Sequence, residues 1–173
     1  RSGGSAPERP RRSSKLPGHG LFIECCCAPD SMLGRISTEY KGARVLRVTE
    51  DVNLLDSGTE KQIKGLLTQQ PGAHMHGSMP CTVWCTWQAV CEKRFGPEYV
   101  RDLAARREKA YKLLLVFLRL ADFCLSQGGS VSFEWPRSCI GWLIPELINF
   151  IIKWELYTVA VDGCAAGLVD SRS

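Results

Sequence analysis

Five short runs of apolar, β-branched and aromatic residues are spaced along the chain: LFIECCC (Leu21–Cys27), ARVLRVT (Ala43–Thr49), AHMHGSM (Ala73–Met79), VSFEW (Val131–Trp135) and YTVAVDG (Tyr157–Gly163). Each has the length of a strand rather than of a helix. Helical patterns separate several of them. SGTEKQIKGLL carries Ser57 and Glu60 at capping-box spacing, which predicts a helix start, and Pro71–Gly72 ends it. Apolar residues recur at helical spacing from Tyr99 to Gln127, stopped by Gly128–Gly129. Pro145 opens a further helix through Glu155. Strands that alternate with helices pair in parallel, because a parallel neighbour needs a long crossover. The expected fold is α/β: a Rossmann-like, mostly parallel sheet with flanking helices and a reduced number of strands.

The length of 173 residues suits one domain, and 45% hydrophobic against 23% charged residues is ordinary globular composition. We assign the domain to residues 20–173. Residues 1–19, with Arg1, Arg9, Arg11, Arg12 and Lys15 among Ser, Gly and Pro, read as a disordered basic tail, either simply solvated or an arm for nuclear import or nucleic acid. The first residue is Arg1, so the expectation is a fragment of a longer polypeptide. The net charge of +4 permits an anionic partner without requiring one. The longest apolar run, Leu113–Leu118, is too short to span a bilayer, so no membrane is expected. Nine cysteines, three of them consecutive at Cys25–Cys27, do not read as an extracellular disulfide framework. Reduced thiols in the nucleus or cytoplasm are the expectation.

In an open α/β sheet, ligands collect beyond the carboxyl ends of the strands. The polar and reactive residues expected there are Glu24 and Asp30 after the first run, Glu50 and Asp51 after the second, Pro80 and Cys81 after the third, and Glu134 at the fourth. Cys81 has three readings. It could be a nucleophile at a strand-to-loop junction, with Pro80 fixing the backbone and Glu134 as acid or base. It could join Cys85, Cys91, His74 and His76 around a metal, although paired CxxC spacing is absent, and no metal is assigned. Or it could be a small packed hydrophobe. His74 and His76, two apart on a strand, face the same side. Trp84 and Trp87 could stack on a base or pack over a loop, and Arg137 is a cation beside Glu134 that could contact substrate.

The order Pro80–Cys81, then Phe133–Glu134–Trp135–Pro136, resembles the cytosine-C5 DNA methyltransferase family, whose nucleophile lies in a Pro-Cys motif after one strand and whose acid opens a Glu-Asn motif on the next. The resemblance spans roughly residues 20–140. Leu21–Cys27 with Ala28–Gly34 stands where that family has its first cofactor loop, and Glu50–Asp51–Val52 looks like its acidic cofactor motif. It implies S-adenosyl-L-methionine as cofactor, contacted by Glu24, Asp30, Glu50, Asp51 and Pro80. It implies nucleic acid as partner, DNA rather than RNA, with Trp84 and Arg137 on the substrate side. Cys81 would attack C6 of a flipped-out cytosine while Glu134 holds N3. The chain departs from the pattern in its single glycine, Gly34, in the first loop, in Trp135 for Asn, and in showing no target-recognition region, which a missing domain or partner chain would supply. These departures motivate the alternative: a non-catalytic α/β interaction module from a larger mobile-element or polyprotein product.

Overall fold

The computed structural model describes residues 20–31 and 44–162. The basic tail, the segment after Ser31 that leads into the second strand, and the residues from Gly163 onward lie outside the described residues. The elements follow in the order β1 (Leu21–Cys25), β2 (Arg44–Val48), α1 (Ser57–Gln69), β3 (His74–Gly77), α2 (Gln88–Ser126), β4 (Ser130–Phe133) and α3 (Pro145–Lys153). Short 3-10 turns at Thr82–Trp84 and Ile140–Leu143 follow β3 and β4. The four strands form one sheet in the order β2-β1-β3-β4, and every pair is parallel. The fold is therefore the expected one, an α/β sheet of few strands with flanking helices.

Register divides the sheet into two unlike faces. Phe22 pairs with His74, and His74 with Ser130; Glu24 pairs with Arg47 and with His76, and His76 with Ser132. Side chains alternate along each strand, so these residues share one face. The other face carries Leu21, Ile23 and Cys25 of β1, Leu46 and Val48 of β2, Met75 and Gly77 of β3, and Val131 and Phe133 of β4. That second face belongs to the main core, together with Ile63 and Leu67 of α1, Leu114, Phe117, Leu120 and Ala121 of α2, and Leu147 and Phe150 of α3. No residue of the His74 face enters that core among the described residues.

Gly77 shows how tightly the helical layer is applied. A Cβ there would meet the Phe117 ring at 2.6 Å, so only glycine lets α2 lie this close to β3. Phe117 in turn rests against Phe133, with ring centroids 5.6 Å apart.

The structure corrects four local expectations. The cap of α1 is Asp56, whose carboxylate accepts from the Thr59 N–H at 3.2 Å; Ser57 is already helical, and Glu60 turns outward to Lys64 and Arg119. The long helix runs from Pro97, close to the expected start, but an unexpected helical segment from Gln88 precedes it and joins it at Gly96 (φ 74°). The turn residue absorbs a conformation that other residues avoid, and the proline then opens the second segment. The helix from Pro145 stops at Lys153, short of Glu155, which sits at φ 49°. The fifth run forms no strand over 157–162: Tyr157, Val159 and Val161 are exposed and unpaired with the sheet. β-branched residues extend a chain, but a strand also needs a partner for its amide groups.

Candidate functional site at the carboxyl ends of the strands

The chain leaves β1 for β2 on one side and returns from β2 to β3 on the other. The topological switch therefore falls between β1 and β3, where open sheets bind ligands. Backbone bonds knit the strand tips around it. The Ser78 N–H donates to Cys25 C=O at 3.1 Å, and the Cys26 N–H donates to Val48 C=O at 2.8 Å. Cys26 turns the chain at φ 58°, a left-handed conformation unusual for a residue with a Cβ. Its sulfur lies 3.7 Å from Met79 Sδ. Burial pushes the Cys26 thiol up to about 11 and raises Cys25 further. Both therefore stay protonated at neutral pH, as packed thiols rather than ligands or nucleophiles.

Cys81 follows the buried Met79 and the exposed Pro80 and is itself half-buried. It precedes the 3-10 turn Thr82–Trp84, and its carbonyl accepts from the Trp84 N–H at 2.9 Å. α2 holds this turn from below. Arg107 Nε donates to Val83 C=O at 3.0 Å, and Gln88 Nε2 donates to Thr82 C=O at 2.8 Å. Val83 packs with Leu103 and Ala110 in a small second cluster. The thiol of Cys139 is buried and raised, first by burial and then by the nearby Cys81 and Cys85 sulfurs, so this thiol lies close to the Cys81 turn.

Glu134 emerges from β4 on the neighbouring tip. Its N–H donates to Gly77 C=O at 3.0 Å, which extends the ladder by one bond. Its exposed carboxylate accepts from Ser78 Oγ at 3.1 Å. Trp135 joins the two tips from the other face: its indole N–H donates to Met79 C=O at 2.8 Å, and its ring meets Phe133 and Trp142 edge-on. The Pro80–Cys81 segment and Glu134 thus hang from adjacent parallel strands, cross-linked through Ser78 and Trp135.

The remaining expected residues fall in different surroundings. Asp30, at the turn after β1, and Glu50 and Asp51, after β2, are exposed near the strand tips. Glu24 is not beyond the strand but inside it, 2% exposed on the polar face. One of its carboxylate oxygens accepts from Ser31 Oγ at 2.5 Å, and the other lies 3.9 Å from Arg47 Nε with no hydrogen bond among the described residues. Trp84 is half-buried against both apolar clusters, with the Arg107 guanidinium 5.9 Å from its ring; Trp87 is 70% exposed. Arg137 is exposed. A shallow depression of about 390 Å³ between α2 and α3 is lined by Leu118, Arg119, Asp122, Asn149, Phe150 and Lys153, and so lies away from Cys81 and Glu134.

The feature not anticipated is a continuous file of hydrogen-bonded side chains on the polar face. Ser130 Oγ meets His74 Nδ1 at 2.8 Å, and His74 Nε2 meets Ser132 Oγ at 2.9 Å. Ser132 Oγ also meets His76 Nδ1 at 2.7 Å, and His76 Nε2 meets Ser78 Oγ at 3.1 Å. Ser78 then donates to Glu134. All four ring nitrogens are thus engaged by serines, which leaves neither histidine a free lone pair for a metal. Among the described residues no group of three His, Cys, Asp or Glu side chains could hold a metal ion. The signal was present as two period-two patterns, His-x-His-x-Ser and Ser-x-Ser-x-Glu, but only the register of β3 with β4 makes them one file. Phe22 stacks on His74 with ring centroids 5.0 Å apart, and desolvation, followed by the charge of His76, holds the His74 pKa below its ordinary value.

No protein-family model, curated protein or solved structure matches the chain. No helix among the described residues is long and apolar enough to cross a membrane.

Proposed function

We propose that this domain carries a methyltransferase-like site of the cytosine-C5 type, with Cys81 as nucleophile and Glu134 as its acid, acting on cytosine in DNA. The observation that supports it is the suspension of Pro80–Cys81 and Glu134 from adjacent carboxyl ends of a parallel sheet, cross-linked through Ser78. A half-buried thiol and an exposed carboxylate at such tips can address opposite parts of one planar base.

The donor set near the switch suits a nucleoside cofactor in part. Exposed carboxylates at Glu50 and Asp51, beyond β2, can accept from ribose hydroxyls, and Asp30 stands at the neighbouring β1 turn. Glu24, enclosed by Ser31 and Arg47, orders the β1 loop instead of meeting a ligand. When bound, S-adenosyl-L-methionine would supply an electrophilic methyl group. The chain's own work is then to bind and polarise the base. Cys81 as thiolate forms a bond to C6, the C5–C6 π pair shifts toward C5, and Glu134 gives a proton to N3, so that C5 becomes nucleophilic toward the methyl group. Loss of the C5 proton to water, return of the N3 proton to Glu134 and breakage of the S–C6 bond then re-form the C5–C6 double bond and restore Cys81. A base in duplex must leave its stack to reach this thiol.

Two measurements test the reading. Calorimetry of folded protein with S-adenosyl-L-methionine should give saturable binding. An oligonucleotide containing 5-fluorocytosine, with cofactor, should form a covalent adduct that mass spectrometry maps to Cys81 and that Cys81→Ser abolishes. Binding without an adduct would remove the nucleophile. Neither binding nor adduct would leave the non-catalytic interaction module.

A further inference from the structure

The file on the polar face has a direction. With Glu134 as carboxylate, Ser78 must donate its only hydroxyl proton to Glu134, so Ser78 Oγ accepts from His76 Nε2–H. In a neutral ring His76 Nδ1 is then an acceptor and takes the hydrogen bond from Ser132, so Ser132 Oγ accepts from His74 Nε2–H. His74 Nδ1 likewise takes the hydrogen bond from Ser130. With both rings neutral, one anion at one end selects the Nε2–H tautomer in each and points every donor toward Glu134. The lowered pKa of His74 agrees with a neutral ring there. On the opposite side, His74 faces Phe22, and His76 has Glu24 as its register partner on β1, with Arg47 beyond it on β2.

We propose that Ser130, His74, Ser132, His76 and Ser78 form a polarised proton line that positions the Glu134 carboxylate and exchanges a proton with it when a bound base covers that carboxylate from solvent. The covering base rests on the methyl-transfer reading above; the polarity of the line does not. Exchange balances in one sweep. A proton from water joins Ser130 Oγ as the Ser130 proton passes to His74 Nδ1. The His74 Nε2 proton passes to Ser132, the Ser132 proton to His76 Nδ1, the His76 Nε2 proton to Ser78, and the Ser78 proton to Glu134. One proton leaves water, one arrives on Glu134, and both rings end neutral as Nδ1–H tautomers. Reversal of the sweep discharges the acid. These five side chains are positioning and relay residues, since none reaches a reacting atom except through Glu134.

The test needs no ligand. In the full chain labelled with 15N-histidine, both rings should give the shifts of the neutral Nε2–H tautomer at pH 7.5. Glu134→Gln removes the anion that sets the direction, because its amide can donate to Ser78 as well as accept. The Nδ1–H form should then become populated in His76 and also in His74, two residues further along the line. Adding Ser132→Ala should cancel the response of His74 while that of His76 persists, and Ser132→Thr, which keeps a hydroxyl, should restore it. Chemical-shift dispersion of the backbone amides reports folding of each variant. Nδ1–H tautomers in the native protein, or a His74 ring indifferent to Glu134→Gln in a folded variant, would overturn the line. Loss of cofactor binding or of the Cys81 adduct would overturn only the methyl-transfer reading.

Discussion

The two faces of the sheet are built from the same strands and solve opposite problems. One face presents Leu21, Ile23, Cys25, Met75 and Phe133 to a layer of three helices and is sealed by Phe117. The other presents Glu24, His74, His76, Ser130 and Ser132, receives no helix from the described residues, and bonds its histidines and serines to one another. A parallel sheet ordinarily has both faces covered by apolar packing. Here stability resides in the first face, while the second carries an ordered polar network ending at an exposed acid. The lesson is one of division: burial holds the strands in place, and that register then aligns side chains that could not order themselves alone.

The comparison can be broken most severely at Phe117. Phe117→Ala would leave a cavity under Gly77 and should cost about 3–5 kcal/mol in urea unfolding. Ser132→Ala acts on the other face, where it deprives His74 Nε2 and His76 Nδ1 of their shared partner. A loss of about 1–2 kcal/mol is expected, because buried polar groups left unpaired are costly but this strip is half-open. A loss as large as that of Phe117→Ala would deny that the helical face dominates. Removing the α1 cap with Asp56→Ala should cost about 1 kcal/mol by the same assay.

The smallest effects sharpen the contrast along the pH axis. Glu60, beside Arg119 and Lys64 on the outside of the helical layer, is held at about 2, below its ordinary 4.5, chiefly by the Arg119 hydrogen bonds. Its contribution is complete above pH 4.5 and disappears as pH falls toward 2, since the unfolded chain takes up the proton first. Glu60→Gln should therefore lose about 0.5–1 kcal/mol at pH 7 and little near pH 2. His74 on the polar face is depressed from its ordinary 6.5 by burial, so the unfolded chain again binds the proton more readily. Stability should begin to decline as pH drops below 6.5, and His74→Gln should flatten that part of the profile. A profile unchanged by His74→Gln would mean that the ring is not desolvated as its stacking on Phe22 implies.

Much of the fold was legible in the sequence because its signals are local. The runs around Leu21–Cys25, Arg44–Val48, His74–Gly77 and Ser130–Phe133 announce strands by composition, and the breakers Gly72, Gly128 and Pro145 stand at element ends. The cap at Asp56 was misplaced by one residue because Ser57 offers an equally good accepting oxygen in sequence; only backbone geometry selects between them. The 157–162 run misled because strand propensity carries no information about a free sheet edge. At the candidate site, Cys81 and Glu134 stood out through their Pro-Cys and strand-end contexts. The enclosure of Glu24 by Ser31 and Arg47 did not, since it depends on where a loop returns.

The residue order by itself determined an alternating α/β chain, a parallel sheet, and histidines that share one side of their strand. Tertiary structure alone decided which strand lies beside which, and therefore that β3 meets β4 in a register placing Ser132 between two ring nitrogens and Ser78 between a ring and a carboxylate. The reason is range. Side-chain alternation is set by neighbouring peptide units, whereas a hydrogen bond between residues some 56 positions apart exists only after packing of the helices has fixed the sheet.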